Sequence, residues 1–499
     1  MKKIGTFLVS IFCTSALLSQ EQASISKTLP VIDSLYKAHS VKYNLPGMVY
    51  GVIYNGKLVQ SGNTGYGNIP KKYFADSSSA FHIASMTKSF VAVAILQLRD
   101  QGKLRLDDPV YLYIPELKNQ KLPSADAPPI TIRNLLTHSA GFPEDNPWGD
   151  RQLDVSDEEM IAMIKKGISF SNAPGISYEY SNMGFAMLGY IIKKVTGQGY
   201  VDYITLHILR PLGMNNTWLE YSKVAENKLA HGYRLLNGVW VEQPMLHNGA
   251  YGAMGGMITT MSDFAKYVSM HLSAWPPSSD RKNVVLKNSS LREMHKLWQL
   301  RGLDPAFTFG GGKACPTVTG YGYGLRWSQD CEGKTMVGHS GGLPGFGSNW
   351  SFLPDYGLGV VCFANSTYAP AAVINTNILD TLVKLAGLHP RPVAISPILE
   401  QRKNELIKLL PGWDNATSSG IFAENFFFDY FVDSLKKEAT EIFTKAGKIK
   451  GFKPFVPENN LRGYFIIEGE RSDVKVYFTL TPETPALIQE YSINEIKKG

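Results

Sequence analysis

Cysteine is scarce in this sequence, four in 499 residues. So few cannot form a disulfide scaffold, and no group of Cys and His has the spacing of a zinc site, so neither a metal nor a cofactor is expected. Long basic runs are also lacking, the longest being pairs such as Lys71-Lys72 and Lys193-Lys194. A nucleic-acid binder gathers its charge into a stripe interleaved with aromatics, so nucleic acid is not an expected partner. Beyond the first 20 residues no segment approaches an uninterrupted 18-residue apolar run, and a membrane-spanning helix is excluded there. Repeats and low-complexity tracts are missing too. Hydrophobic residues make up 44% and charged residues 19%, with 46 Gly and 28 Pro scattered along the chain. That composition belongs to a globular protein with a sizeable core and excludes disorder, collagen and coiled coil. At ~100–200 residues per domain the length predicts two or three domains.

What is present begins with an address. Lys2 and Lys3 precede an apolar stretch from Ile4 to Leu18, followed by Ser19 and the polar Gln20-Glu21-Gln22. A basic start, an apolar stretch of about 15 residues and a small residue make the anatomy of a secretory signal peptide. The stretch is shorter than the ~20 residues a transmembrane helix needs. Residues 1–19 are therefore expected to be a leader, and the mature chain to be exported, periplasmic or secreted, with no transmembrane segment. Export makes a disulfide between Cys315 and Cys331 an expectation; the two flank a Gly/Tyr-rich segment that reads as a local excursion. Cys362 lies in Gly357-Leu358-Gly359-Val360-Val361-Cys362-Phe363 and is expected in the core of a buried strand. The formal charge is +7, and because residues 400–499 carry 14 Lys/Arg against 15 Asp/Glu, the surplus belongs to the chain before them. It reads as a mild bias toward anionic surroundings.

From about residue 28 to 388 the pattern alternates between strands and helices. Residues 48–54 read as a strand, Asn55-Gly56 as a hairpin turn and 57–62 as the returning partner. After Ser85 the apolar positions Phe90, Val91, Val93, Ala94 and Leu98 predict a helix buried on most sides. Further helices are expected over 131–137, 157–166 and 183–196, strands over 336–365 and a closing helix over 370–387. Strands at both ends with helices between them predict an α/β (α+β) layer with a helical insertion. Three prolines within residues 390–397 mark a linker. Residues 398–499 then read as a separate small α+β domain, resembling NTF2-like domains in general layout, with its aromatics at 426–431 expected in a core.

Three short motifs carry chemistry. Ser85-Met86-Thr87-Lys88 is an S-x-x-K pattern at a helix opening. Residues three apart share a helix face, so the Lys88 amine reaches the Ser85 hydroxyl and, when desolvated, accepts its proton. The pattern recurs at Ser24, Ser279, Ser434 and Ser472, but only Ser85 stands between a Phe81-His82-Ile83-Ala84 segment and a buried helix. Tyr180-Ser181-Asn182 precedes another helix; a phenolic oxygen among ammonium groups can be held as phenolate and act as a base, and Asn182 offers donor and acceptor to a substrate amide. His339-Ser340-Gly341, followed by Gly342, falls on an expected strand, where glycine permits close approach of substrate backbone. The amides of Ser85 and Gly342 could form an oxyanion hole. The second and third triplets also recur, at Tyr66-Gly67-Asn68 and His247-Asn248-Gly249. His138 and His82 are expected in structural roles.

In the order and surroundings of these motifs, residues 30–388 resemble the serine β-lactamase and penicillin-binding-protein superfamily, in the branch of class C enzymes, D-alanyl-D-alanine carboxypeptidases, D-aminopeptidases and related esterases. The resemblance extends to residues 132–141 (Ile-Arg-Asn-Leu-Leu-Thr-His-Ser-Ala-Gly), 180–185, 188–192, Pro211-Leu212-Gly213-Met214 and 255–263. It implies a β-lactamase/transpeptidase-like antiparallel sheet with a helical subdomain over residues 20–389. It also implies a mechanism in which Ser85 forms an acyl-enzyme, Lys88 and Tyr180 move the proton, Asn182, His339, Ser340 and Gly341 bind substrate, and the Ser85 and Gly342 amides hold the oxyanion. His339 stands where many relatives have Lys, and a His with an ordinary pKa is mostly neutral at pH 7. That departure favours an esterase or D-amino-acid peptidase, acting on a small molecule or peptide that could be cell-wall derived, over a β-lactamase or D-alanyl-D-alanine carboxypeptidase. A penicillin- or peptidoglycan-binding sensor with slow deacylation is the reading of another class.

Overall fold

The computed structural model describes residues 5–146, 148–278, 283–309 and 312–498, with side chains from Glu21 onward. The expected leader thus lies outside the described residues up to Ile4, and its side chains lie outside throughout, as does Ser279. Contacts divide the chain into two compact units, residues 1–275 with 279–390, and residues 391–499 with 276–278.

The first unit is built on a nine-stranded antiparallel sheet. Its strands are β1 (Gly47–Tyr54), β2 (Lys57–Asn68), β3 (Tyr73–Phe74), β4 (Gln299–Asp304), β5 (Thr317–Tyr321), β6 (Arg326–Gln329), β7 (Thr335–Leu343), β8 (Phe346–Leu353) and β9 (Leu358–Ala364), in the order β3-β2-β1-β9-β8-β7-β6-β5-β4. Successive side chains of a strand point to opposite faces, and β1 is buried on both. Val49 and Ile53 join the core on one face, while Met48, Tyr50, Val52 and Tyr54 join the core on the other. The first face is covered by helices α2 (Thr87–Asp100), α3 (Asn182–Thr196) and α4 (Met261–Ser273), and the second by α1 (Gly5–Lys42) and α5 (Ala371–Ala386). Every residue of α2 from Thr87 to Leu98 is buried, as expected of a helix apolar all round.

Two features differ from the sequence-based expectation. Residues 317–329 are no local excursion but two strands of the main sheet, β5 and β6, in register from Val318 opposite Gln329 to Tyr321 opposite Arg326. The disulfide between Cys315 and Cys331 closes the open end of this hairpin. The helix α1 was not anticipated; its Ile25, Ile32 and Tyr36 are buried on the sheet, with Tyr36 stacked 4.1 Å from Tyr50. Cys362 is buried in β9. No helix among the described residues is long and apolar enough to cross a membrane.

The second unit carries helices α6 (Pro397–Leu409) and α7 (Val432–Ala446). Its five-stranded antiparallel sheet comprises β10 (Ile449–Phe452), β11 (Val456–Asn459), β12 (Arg462–Gly469), β13 (Ser472–Leu480) and β14 (Ile488–Lys497). Alternate residues of β12 and β13 are buried, facing Leu435, Ala439 and Phe443 at helical spacing on α7. The aromatic run only half enters this core. Phe426 is buried, but Phe428 and Phe431 are 77% and 64% exposed, because a four-residue helix over 426–429 turns only one side inward.

Candidate active site

Ser85 lies on a single helical turn, Ala84–Met86, that leads into α2. Ala84 sits at φ 48°, in the left-handed region that a residue with a Cβ enters rarely. The surroundings over-determine this strained turn. Thr87 Oγ1 donates to the Ala84 carbonyl at 2.7 Å, Ser348 Oγ on β8 donates to the Ile83 carbonyl at 2.8 Å, and the Ile83 amide donates to the Met257 carbonyl. Gly341 of β7 makes the approach possible, since a Cβ there would stand 2.1 Å from the Ile83 carbonyl oxygen. The glycine therefore admits the nucleophile's own turn, where the sequence suggested close approach of substrate.

Lys88 is fully buried in the first turn of α2. Its Nζ lies 3.0 Å from Ser85 Oγ, 2.7 Å from Asn182 Oδ1 and 2.9 Å from the Met254 carbonyl oxygen. Burial pushes the amine's pKa down to about 7, against the opposing charges of Asp150 and Asp145 and with a further push from Arg326. A neutral amine has two N–H donors and one lone pair. Asn182 Oδ1 and the Met254 carbonyl can only accept, so they take the two donors, and the lone pair is left for the Ser85 hydroxyl.

Tyr180 lines the same cleft as Ser85, with its ring 4.8 Å from Lys88 Nζ. The expected phenolate is not what the site favours. Burial pushes the phenol's pKa well above its ordinary value, and the Ser85 hydroxyl and the Arg326 charge, which favour the phenolate, do not offset it. Tyr180 is thus a proton donor at neutral pH. Asn182 is fully buried, its Oδ1 accepts from Lys88 and its Nδ2 donates to Asn146 Oδ1 at 2.5 Å, so its amide aligns Lys88 and keeps its second N–H as the remaining donor.

His339 faces inward from β7, 1% exposed. Its Nδ1 lies 2.6 Å from the Ser340 carbonyl oxygen and its Nε2 2.7 Å from the Tyr321 hydroxyl. A carbonyl can only accept, so Nδ1 carries the proton and Nε2 accepts from Tyr321. Burial, helped by Arg326 and Lys88, holds the ring's pKa well below its ordinary value. The imidazole is neutral and both nitrogens are occupied, which removes it as a direct ligand for substrate. His138 has the structural role expected of it: its Nδ1 accepts from the Ser181 amide at 3.1 Å and its ring packs 4.2 Å from that of Tyr180. His82 packs on Phe346.

An open cleft beside Ser85 is lined by Tyr180, Ser340, Gly341 and Gly342, together with residues the sequence did not single out, among them Asn146, Asp150, Arg326 and Tyr368. Asp145 accepts from the Asn182 and Met183 amides at 2.6 and 2.8 Å, capping the start of α3. Asp150 is buried, accepts from the Tyr368 hydroxyl at 3.0 Å and leaves Oδ1 without a partner; burial raises its pKa, opposed by Lys88. Arg326 is exposed and forms no ion pair among the described residues. On β6 it stands opposite Gly338, next to His339 in β7. It places a positive charge on the strand next to the neutral His339. No motif signals these residues, because loop 141–153 and the β5–β6 hairpin reach the cleft only through tertiary packing.

A serine on a strained turn at a helix start, a buried amine of lowered pKa and a buried phenol, set between an antiparallel sheet and a helical layer, define a serine hydrolase of amide or ester bonds. The chain belongs to the Beta-lactamase family, whose model matches residues 32–383. Protein flp of Staphylococcus aureus (strain MW2) is 29% identical over 379 residues, covering 75% of this chain and 70% of that protein. The octameric penicillin-binding protein homologue from Pyrococcus abyssi is similar in structure with a TM-score of 0.59 at 24% identity, over 94% of this chain and 96% of its own. A D-stereospecific amidohydrolase from Streptomyces sp. gives a TM-score of 0.54 at 22% identity, over 73% and 97%.

Proposed function

We propose that the protein is an exported hydrolase that forms an acyl-enzyme on Ser85 and releases it to water, acting on an ester or on an amide of the D-amino-acid peptidase type. The carrying observation is the hydrogen-bond set of Lys88, which leaves the lone pair of a near-neutral amine facing Ser85 Oγ. Ser85 Oγ bonds to the substrate carbonyl carbon as its proton passes to Lys88 Nζ. The amides of Ser85 and Gly342 hold the oxyanion. When the intermediate collapses, the bond to the leaving alkoxide or amine breaks and the leaving group takes a proton through Tyr180. Water then attacks the ester in the reverse sequence. The leader sequence supports export, and Ser340 and Gly341, which line the cleft, are the proposed substrate-facing part of β7.

A carboxylate-bearing amide, as in a β-lactam or a D-alanyl-D-alanine peptide, is favoured as a second reading by Arg326. An exposed guanidinium in the cleft, without an ion pair among the described residues, offers a carboxylate a bidentate partner and replaces the charge missing at His339. Turnover of p-nitrophenyl esters, D-amino-acid p-nitroanilides and a penicillin by the wild type and Ser85→Ala tests both readings. Whichever substrate is turned over, Ser85→Ala is expected to lower kcat by at least 1000-fold, and turnover that survives the substitution would refute the assignment.

A further inference from the structure

Beside the nucleophile's cleft, and sharing Arg326, Ser340 and Ala372 with it, lies a second cavity of about 230 Å³. It is walled by Phe307, Phe309, Met336, Val337, Leu353 and Leu379, and His339 and Ser340 of the third motif also line it. Two of its acidic groups are already matched by cations. Asp330 pairs with Lys334 at 3.1 Å, both side chains 6% exposed, and Asp380 pairs with Lys384 at 2.8 Å. Arg301 and Arg326 also line it; both are exposed, both act on Tyr178, and neither forms an ion pair among the described residues. The cavity thus combines apolar walls with unbalanced positive charge and adjoins the cleft in front of Ser85 at the three shared residues. An apolar cavity of about 150 Å³ takes a benzene ring, so this one has room for about eight non-hydrogen atoms.

Resting on the Ser85 reading, we infer that the cavity is a substrate subsite for an apolar chain or ring of about eight non-hydrogen atoms, carried on a molecule whose anionic group meets Arg326 and Arg301. The substrate class is an anionic amphiphile: an ester or amide with an apolar arm on one side of the scissile carbonyl and a carboxylate near it. Hydration opposes placing a small polar substituent there, whereas each methylene that leaves water for the cavity gains affinity by about fourfold.

The test is calorimetric titration of the full-length Ser85→Ala protein with linear carboxylates from acetate to decanoate. Affinity is expected to rise by about fourfold per carbon up to octanoate and to level off at decanoate. Thr376→Trp places an indole in the cavity and is expected to flatten the series; Ala372→Leu, a smaller change at the junction with the cleft, makes the same test if the first variant does not fold. Arg326→Gln is expected to weaken octanoate by several-fold. A series flat in chain length, or one that stays as steep in both cavity variants, overturns the inference. Because these ligands are bound and not turned over, that result is separable from failure of the Ser85 reading, which is read from p-nitrophenyl acetate turnover surviving Ser85→Ala.

Discussion

At Lys88 the chemistry comes from desolvation. An ammonium with an ordinary pKa of 10.5 would hold its proton at neutral pH, but the fully buried amine is pushed down to about 7, where it is poised to take a proton from Ser85. The sign follows directly. Below pH 7 Lys88 is protonated and inactive as a base; above it the free amine predominates. kcat/KM is therefore expected to rise by about tenfold per pH unit below an apparent pKa near 7 and to level off by pH 8 to 9, with no alkaline loss from Tyr180, whose pKa burial raises. A pH-rate profile that is flat, or that falls between pH 6 and 8, would contradict this. The meeting of Ser85 and Lys88 was legible in the sequence because residues three apart share a helix face, whereas Tyr180, on the segment before α3, was singled out by its motif and its resemblance alone. The states of Tyr180, Asn182 and His339 were not legible, because protonation and hydrogen-bond partners depend on burial and on residues distant in the chain. Tyr321, for example, is 18 positions from the His339 it donates to.

Among the elements, β7 is the one pressed against the nucleophile's turn. Its Gly341 lets the strand backbone lie against the Ser85 turn, where a Cβ would stand 2.1 Å from a backbone carbonyl oxygen that cannot swing aside. Gly341→Ala is expected to cost about 1–3 kcal/mol of stability through overpacking. By displacing Ser85 it is also expected to lower kcat/KM on the order of 100-fold. Thermal unfolding and steady-state kinetics on the same preparation check both, and an unchanged variant would mean that the turn is not held by this contact. Elements with strong local signals were legible, as in the alternating β1 and the apolar run of α2. Helix α1 shows its own signal in hindsight, Ile25, Leu29, Ile32 and Tyr36 recurring at helical spacing with Ile25, Ile32 and Tyr36 fully buried. Pro30 within that run obscured it. The hairpin β5–β6 was obscured by its glycines and short strands, although the cysteines at its ends marked it as a closed piece of structure.

For the whole molecule, the nucleophile sits where the helical layer meets the sheet. Its base comes from α2, its phenol from the segment before α3, its closing strand from β7 and its cleft charge from β6. Such convergence of distant segments makes the account testable at one atom. The most direct measurement is mass spectrometry of the acid-quenched wild-type protein after mixing with an activated acyl donor, a p-nitrophenyl ester or a penicillin. The account predicts a covalent adduct of the acyl mass on the peptide carrying Ser85 and none in Ser85→Ala. An adduct on another residue, or turnover with no acyl intermediate on Ser85, would contradict it.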